Sequence, residues 1–242
     1  DSLERSGADV VHISPSHHFP TGTVTPASRR YELLGWAAKQ EGRYIIEDEY
    51  DSEFRLVGNP IPALQSIDAS DKVIYMNTFS KSLSSTIRIS YMVLPIPLMV
   101  RYNHVLSFYA CTVSNFDQYT LTRFIQEGYL EKHINRMRKF YRNSRDRILG
   151  CIRSHRLYPQ VTIKEENAGL HFLMEIDTSY TDREMVDRAA AAGINISSLS
   201  QYCHGKEQED SHTLVINYSG IEEDIIEEAC DRLLESVVCL TT

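Results

Sequence analysis

The stretch "NTFSKSLSSTIRISYMVLP", Asn77 to Pro95, sets one lysine, Lys81, into a hydroxyl-rich turn between two apolar runs. A lysine amine attacks an aldehyde only when it is partly desolvated or held near other cations, so that some of it is neutral. By itself a loop lysine reads as a solvated side chain. Upstream, "IIEDEYDSEF" is apolar at its entry and acidic at its exit. Period-two alternation along a strand puts Asp48 and Tyr50 on one face and Glu47 and Glu49 on the other. One face then offers a carboxylate beside a phenol, while an acidic strand end facing water satisfies the same spacing. Thr78, Ser80 and Arg88 surround the lysine with hydroxyls and a guanidinium, a set that suits a phosphate. A hydroxyl-rich turn beside a surface arginine accounts for them equally well.

Such groups need strands and turns to hold them. "ADVVHIS" reads as a short strand followed by the turn "PSHHFPTG", and "TPASRRYELLGWAAKQEG" reads as a helix. Its signals are Thr25 as N-cap, Pro26 at the first helical position and Gly42 past the end. "RYIIEDEYDSEF", "DKVIYMNTF" and "RISYMVLP" give three more strands. In open α/β sheets ligands sit at the carboxyl ends of strands, where Asp48 and Tyr50 fall. A carboxylate facing a pyridine nitrogen keeps it protonated, and a phenol hydrogen-bonds a ring hydroxyl. Pyridoxal phosphate has both requirements when it acts as an electron sink.

From "SNFDQYTLTRFIQEG" through "YLEKHINRMRKFYRNSRDRILGCIRSH" the pattern is that of one long charged helix, with no proline before Pro159. "QVTIKEE", "AGLHFLMEID", "DREMVDRAAAAG", "INISSLS", "HTLVINYS" and "EEDIIEEACDRLLESVV" then alternate as a smaller α+β unit. The expected division is 1–155 for part of a large domain with its linking helix, and 156–242 for a small C-terminal domain.

The chain has 242 residues, 42% hydrophobic and 24% charged, with a formal net charge of −8. That balance leaves no electrostatic footprint for nucleic acid or an anionic membrane. No apolar run approaches a membrane span, and the polar start "DSLERSGAD" is no signal peptide. Five cysteines without a C-x-x-C pair read as reduced thiols in a cytoplasm. His12, His17 and His18 cluster, but no carboxylate or cysteine stands at metal-ligand spacing beside them. His171, inside an apolar strand, reads as a core residue.

"PSHHFPTGTVTPASRRYELLGWA", "YIIEDEYDSEFR", "PIPALQSID", "VIYMNTFSKSLSSTIRISYMVLP" and "AGLHFLMEID" together resemble the aminotransferase-like domain of MocR-type transcriptional regulators. These are a branch of the GntR regulators whose effector domain is similar to fold-type-I, pyridoxal-phosphate-dependent aminotransferases. The resemblance runs from about Val10 to the C-terminus. It implies an α/β fold: part of the large-domain sheet with flanking helices, then a smaller α+β domain. It implies that Lys81 forms the internal aldimine with pyridoxal 5'-phosphate, that Asp48 pairs with the pyridine nitrogen and that Tyr50 contacts the ring hydroxyl. Thr78, Ser80 and Arg88 would serve the phosphate.

Two positions depart from the aminotransferase pattern. Aminotransferases of this fold usually carry Asn-Pro-Thr-Gly, whereas this chain has Phe19 in the asparagine's place, a change the regulators share. They also carry an arginine for the substrate carboxylate in a late strand, and here Val215 stands there, with Ser219 and Gly220 just beyond. The resemblance further implies an N-terminal truncation, with DNA contacted only through a domain absent from this chain, and a homodimer. The expected function is an effector and oligomerisation domain that senses a small amino compound through Lys81. The alternative is an aminotransferase acting on an amino acid.

Overall fold

The computed structural model describes residues 2–58, 61–203 and 210–239; Asp1 and Pro60, at the heads of two stretches quoted above, lie outside them. Its elements in chain order begin with α1 (Ser2–Ser6), β1 (Val10–Ile13), α2 (Ala27–Ala38), β2 (Tyr44–Glu49) and α3 (Leu64–Ile67). β3 (Val73–Thr78), α4 (Phe79–Ser82), β4 (Ser90–Val93), α5 (Ile96–Leu106) and α6 (Asn115–Gln126) follow. After them come α7 (Tyr129–Ser154), β5 (Val161–Lys164), β6 (His171–Ile176), α8 (Asp182–Ala191), β7 (Ser197–Ser198), β8 (Thr213–Asn217) and α9 (Ile226–Val237). The packing forms two compact units. One holds the residues through His18, Thr23–Glu53 and Gly58–Arg136; the other holds Phe19–Gly22, Phe54–Val57 and the chain from Met137 onward.

In the first unit the sheet order is β1-β2-β3-β4. β1 and β3 both run parallel to β2, and β4 returns antiparallel to β3. The β2–β3 register sets Asp48 opposite Met76 and Glu49 opposite Asn77, so both strands finish at the same edge of the sheet. Trp36 and Ala37 of α2 close over Ile45, Leu64 and Val73, a small apolar core. Burying side chains of this size contributes roughly 1.5 to 3 kcal/mol for each large one.

Three local expectations need correction. Pro26, with ψ at 155°, is itself the extended N-cap of α2; Thr25 lies outside the helix, and its carbonyl accepts from Arg30 Nε at 3.1 Å. The long helix breaks at Gly128, whose φ of +73° is costly for residues bearing a Cβ, and α6 and α7 are separate. The strand expected through Phe54 stops at Glu49, and a short 3₁₀ turn covers Ser52–Phe54. The 11-residue α5 had no counterpart in the sequence reading.

In the second unit every neighbouring pair in the order β5-β6-β8-β7 is antiparallel. Phe172 and Met174 of β6, with Leu214 and Ile216 of β8, meet Ile148 and Ile152 of α7 and Leu233 and Leu234 of α9. A capping box starts α8: the Thr181 side chain accepts from the Glu184 backbone, and the Glu184 carboxylate reaches back to the Thr181 amide.

Candidate cofactor site

Alternation along β2 sorts its acidic residues by task. Glu47 and Glu49 are buried. Glu47 accepts from the backbone amides of Leu64 at 2.6 Å and Gln65 at 2.9 Å, holding the start of α3 to the sheet. Glu49 accepts from Ser16 Oγ at 2.6 Å, and burial pushes its carboxyl up to about 7 despite that bond. These two glutamates bind the scaffold together. Asp48, between them, is left on the open face, where its Oδ2 lies 3.2 Å from Nε2 of His12 on β1.

Tyr50 is the first residue past β2. Its hydroxyl lies 3.3 Å from Nδ1 of His17, and the same nitrogen lies 2.9 Å from Asp51 Oδ2 in a buried pair. Burial pushes the Tyr50 phenol well above its ordinary range, and the charges of Asp51, Glu49 and Asp48 add to the shift. The phenol therefore keeps its proton and acts as a donor. The loop after β1 that carries His17 is fastened by Arg30. This buried guanidinium donates to the carbonyls of Thr25, Pro62 and Pro15, the last two at 2.8 and 2.9 Å.

The lysine turn begins where β3 ends. Thr78 caps α4 by accepting from the Ser80 amide at 3.2 Å, and its own amide is held by Asn77 Oδ1 at 2.6 Å. Ser80 Oγ donates to the Ile87 carbonyl at 2.9 Å and Thr78 Oγ1 to the Ile89 carbonyl at 3.3 Å. Both hydroxyls thus fold the turn, and each must rotate to donate to a ligand. Arg88 Nη1 stands 3.5 Å from Ser80 Oγ. Lys81 and Arg88 are exposed, and among the described residues neither has an ion-pair partner.

One sheet edge in the first unit therefore holds a carboxylate, a protonated phenol, an amine and a guanidinium flanked by hydroxyls. Two unneutralised cations beside hydroxyls, with a carboxylate one strand away, match the donor set that a phosphorylated pyridine aldehyde requires. Sequence reasoning missed His12 and His17, having weighed them only together, as metal ligands. The parallel register, His12 opposite Ile46, sets His12 two residues short of Asp48 on the adjacent strand. That register is not written in the sequence.

In the second unit the Phe19 ring packs edge-on against Tyr202, with centroids 4.9 Å apart, and His171, 5.4 Å apart. His171 is buried, its Nε2 3.2 Å from the Pro20 carbonyl. Val215 and Phe19 line a cavity of about 440 Å³ with Tyr202, Asn195, Ser197 and Asn217, and among the described residues its lining holds no charged side chain.

The mixed sheet with helices between its parallel strands, followed by an antiparallel α+β unit, is the fold of type-I aminotransferases. The aminotransferase class I and II family matches residues 3–233, and the chain belongs to it. Among curated proteins it is similar to the uncharacterized HTH-type transcriptional regulator YdeL of Bacillus subtilis. Identity there is 41% over 232 residues, covering 96% of this chain and 49% of that protein. It is also similar to the probable rhizopine catabolism regulatory protein MocR of Rhizobium meliloti, at 32% identity over 98% of this chain and 47% of that protein. The chain spans about half the length of these relatives. Among solved structures, the kynurenine aminotransferase of Pyrococcus horikoshii, in complex with PMP, superposes with a TM-score of 0.83. Its identity is 28%, over 98% of this chain and 58% of that one. Among the described residues no helix is long and apolar enough to cross a membrane.

Proposed function

We propose that this chain is the pyridoxal-phosphate-binding effector part of a cytoplasmic, homodimeric transcriptional regulator that senses a small amino compound. Residues 1–155 supply part of the large cofactor-binding domain and 156–242 the small one. DNA is contacted by a separate domain of the whole regulator. The observation that carries the reading is the pair of unneutralised cations, Lys81 and Arg88, set in the hydroxyl turn at the same sheet edge as Asp48. Similarity to regulators at 41% and 32% identity, above the 28% to the kynurenine aminotransferase, favours sensing over turnover.

When bound, pyridoxal phosphate supplies an aldehyde that condenses with amines and a ring that withdraws electrons. The chain's own residues do the rest. Lys81 Nζ would supply the amine that meets the aldehyde. Asp48, braced by His12, would keep the ring nitrogen protonated. Tyr50 would donate to the ring oxygen, and Arg88, with Thr78 and Ser80, would hold the phosphate. An effector that binds one domain arrangement better than another then shifts the population between them.

A second reading, turnover as an aminotransferase, is favoured by the structural likeness to the kynurenine enzyme. Phe19 and Val215 oppose it, since among the described residues the cavity they line offers no cation for an α-carboxylate. The test is a single-turnover assay on the full-length protein with a panel of amino acids, following conversion of the cofactor to its amine form. A sensor converts little with any common amino acid. Rapid, complete conversion, reversed by a keto acid, identifies an enzyme.

A further inference from the structure

The buried polar pair behind Tyr50 has no part in the chemistry above. His17 and Asp51 are almost fully enclosed, with side chains 1% and 3% exposed. Enclosing two ionisable groups costs free energy unless each is hydrogen-bonded. Asp51 Oδ2 lies 2.9 Å from His17 Nδ1. An ionised carboxylate only accepts, so Nδ1 of that ring carries the hydrogen. The Tyr50 hydroxyl, 3.3 Å from the same nitrogen, then meets an N–H and not a lone pair.

The consequence concerns the phenol's own proton. Tyr50 is kept protonated by burial and by the surrounding carboxylates Asp51, Glu49 and Asp48. A phenol oxygen that accepts from behind cannot also donate in that direction. Its O–H must therefore turn to the side away from His17. We propose that the Asp51–His17 pair is a positioning device: Nδ1–H of His17, fixed by Asp51, is shared with the Tyr50 oxygen and aims the Tyr50 hydroxyl outward as a preset donor to the ligand. The value of such aiming lies in paying the orientational cost before the ligand arrives. The ligand's identity rests on the function proposed above; the geometry of the device does not.

The sequence motif behind it is "SHH" after β1 together with "EYD" after β2. Ser16 bonds Glu49 and His17 bonds Asp51, so two successive loop residues are clamped to two alternate residues flanking Tyr50. Arg30 holds Pro15 immediately before them. The loop is thus fixed by three polar contacts, two of them buried, and this is the rigidity that an aimed hydroxyl demands.

The test uses the full-length protein, free of cofactor, with tyrosine labelled with carbon-13 at Cζ and the Tyr50 signal assigned by its loss in Tyr50→Phe. His17→Leu removes the N–H, whereas His17→Asn keeps an N–H near the position of Nδ1. The device predicts a displaced Tyr50 Cζ resonance in His17→Leu and a near-native one in His17→Asn. It also predicts a loss of pyridoxal phosphate affinity of about tenfold in the former and under about threefold in the latter, the scale of one hydrogen bond. Tyr50→Phe tests the contact from the other side should His17→Leu fail to fold, because losing the phenol oxygen must shift the His17 Nδ1–H signal. An unmoved His17 signal in Tyr50→Phe overturns the proposal, as does a folded His17→Leu protein with a native Tyr50 signal, or His17→Asn behaving like His17→Leu. If the wild-type protein shows the resonance signature but binds no pyridoxal phosphate, the device stands and the proposed ligand falls.

Discussion

Asp48 Oδ2 stands 3.2 Å from Nε2 of His12, across the parallel pairing of β2 with β1. The histidine is largely exposed, so the pair adds at most about 1 kcal/mol to stability. Its role is to orient a carboxylate at the open strand end. Asp48→Asn should therefore leave urea unfolding within about 1 kcal/mol of wild type. Its affinity for pyridoxal phosphate in the full-length protein should fall by one to two powers of ten, the scale of a lost charge-assisted bond. A native affinity and cofactor spectrum in this variant would reduce the acidic strand end to a solvated edge.

Arg30 is a buried cross-link within the first unit. It is 1% exposed and satisfies three backbone carbonyls, those of Pro15, Thr25 and Pro62. Arg30→Met fills much of the volume but leaves buried acceptors without donors, at a cost of at least about 3 kcal/mol. Denaturant titration of the full-length protein measures it. A loss below about 1 kcal/mol would show that water replaces the guanidinium.

Glu49 makes stability depend on pH. Its carboxyl, with an ordinary value of 4.5, is raised to about 7 in the folded protein, chiefly by burial. Between those values the folded state holds a proton that the unfolded state has released. Its contribution is full below the unfolded value and is lost as pH rises through the folded one. Glu49→Gln keeps an acceptor for Ser16 and does not titrate. Wild type should lose up to about 3 kcal/mol more than the variant between pH near 5 and pH near 8. Parallel slopes in urea unfolding at the two values would rule out a buried, titrating Glu49.

The second unit contains an equivalent anchor at Asp182. The carboxylate is buried and accepts from the Ser211 amide at 3.0 Å, the Ser211 hydroxyl at 2.9 Å and the His212 amide at 2.8 Å. Asp182→Ala leaves two backbone amides unpaired, and the expected loss is about 2 to 4 kcal/mol. Amide exchange at Ser211 and His212 should accelerate in step. Unchanged protection there would mean that the Asp182 carboxylate does not hold these amides.

The strands were legible because β-branched and aromatic runs bounded by turn residues leave few alternatives, as at "DKVIYMNTF". Lys81, Asp48 and Tyr50 are joined as a proposed set only by the family resemblance, since each taken singly suits a solvated surface equally well. The end of β2 was not legible: Tyr50 is aromatic and extends the strand pattern, but Asp51 turns inward to meet His17 and ends the pairing. The break at Gly128 was missed because a glycine within a helical pattern is tolerated unless its φ turns positive. The duties of Glu47, Glu49 and Arg30 depend on loops brought together by the sheet, as when Leu64 and Gln65 meet Glu47. No local spacing announces such contacts.

Lys81 is the residue on which cofactor binding depends most directly. The turn holds it exposed and without an ion-pair partner among the described residues, next to the hydroxyls and Arg88 that would carry the phosphate. Borohydride reduction of the full-length protein after addition of pyridoxal phosphate, followed by peptide mapping, tests this directly. The predicted result is one stoichiometric pyridoxyl label on Lys81, abolished in Lys81→Ala without loss of the folded state. A label on another lysine, or none, contradicts it.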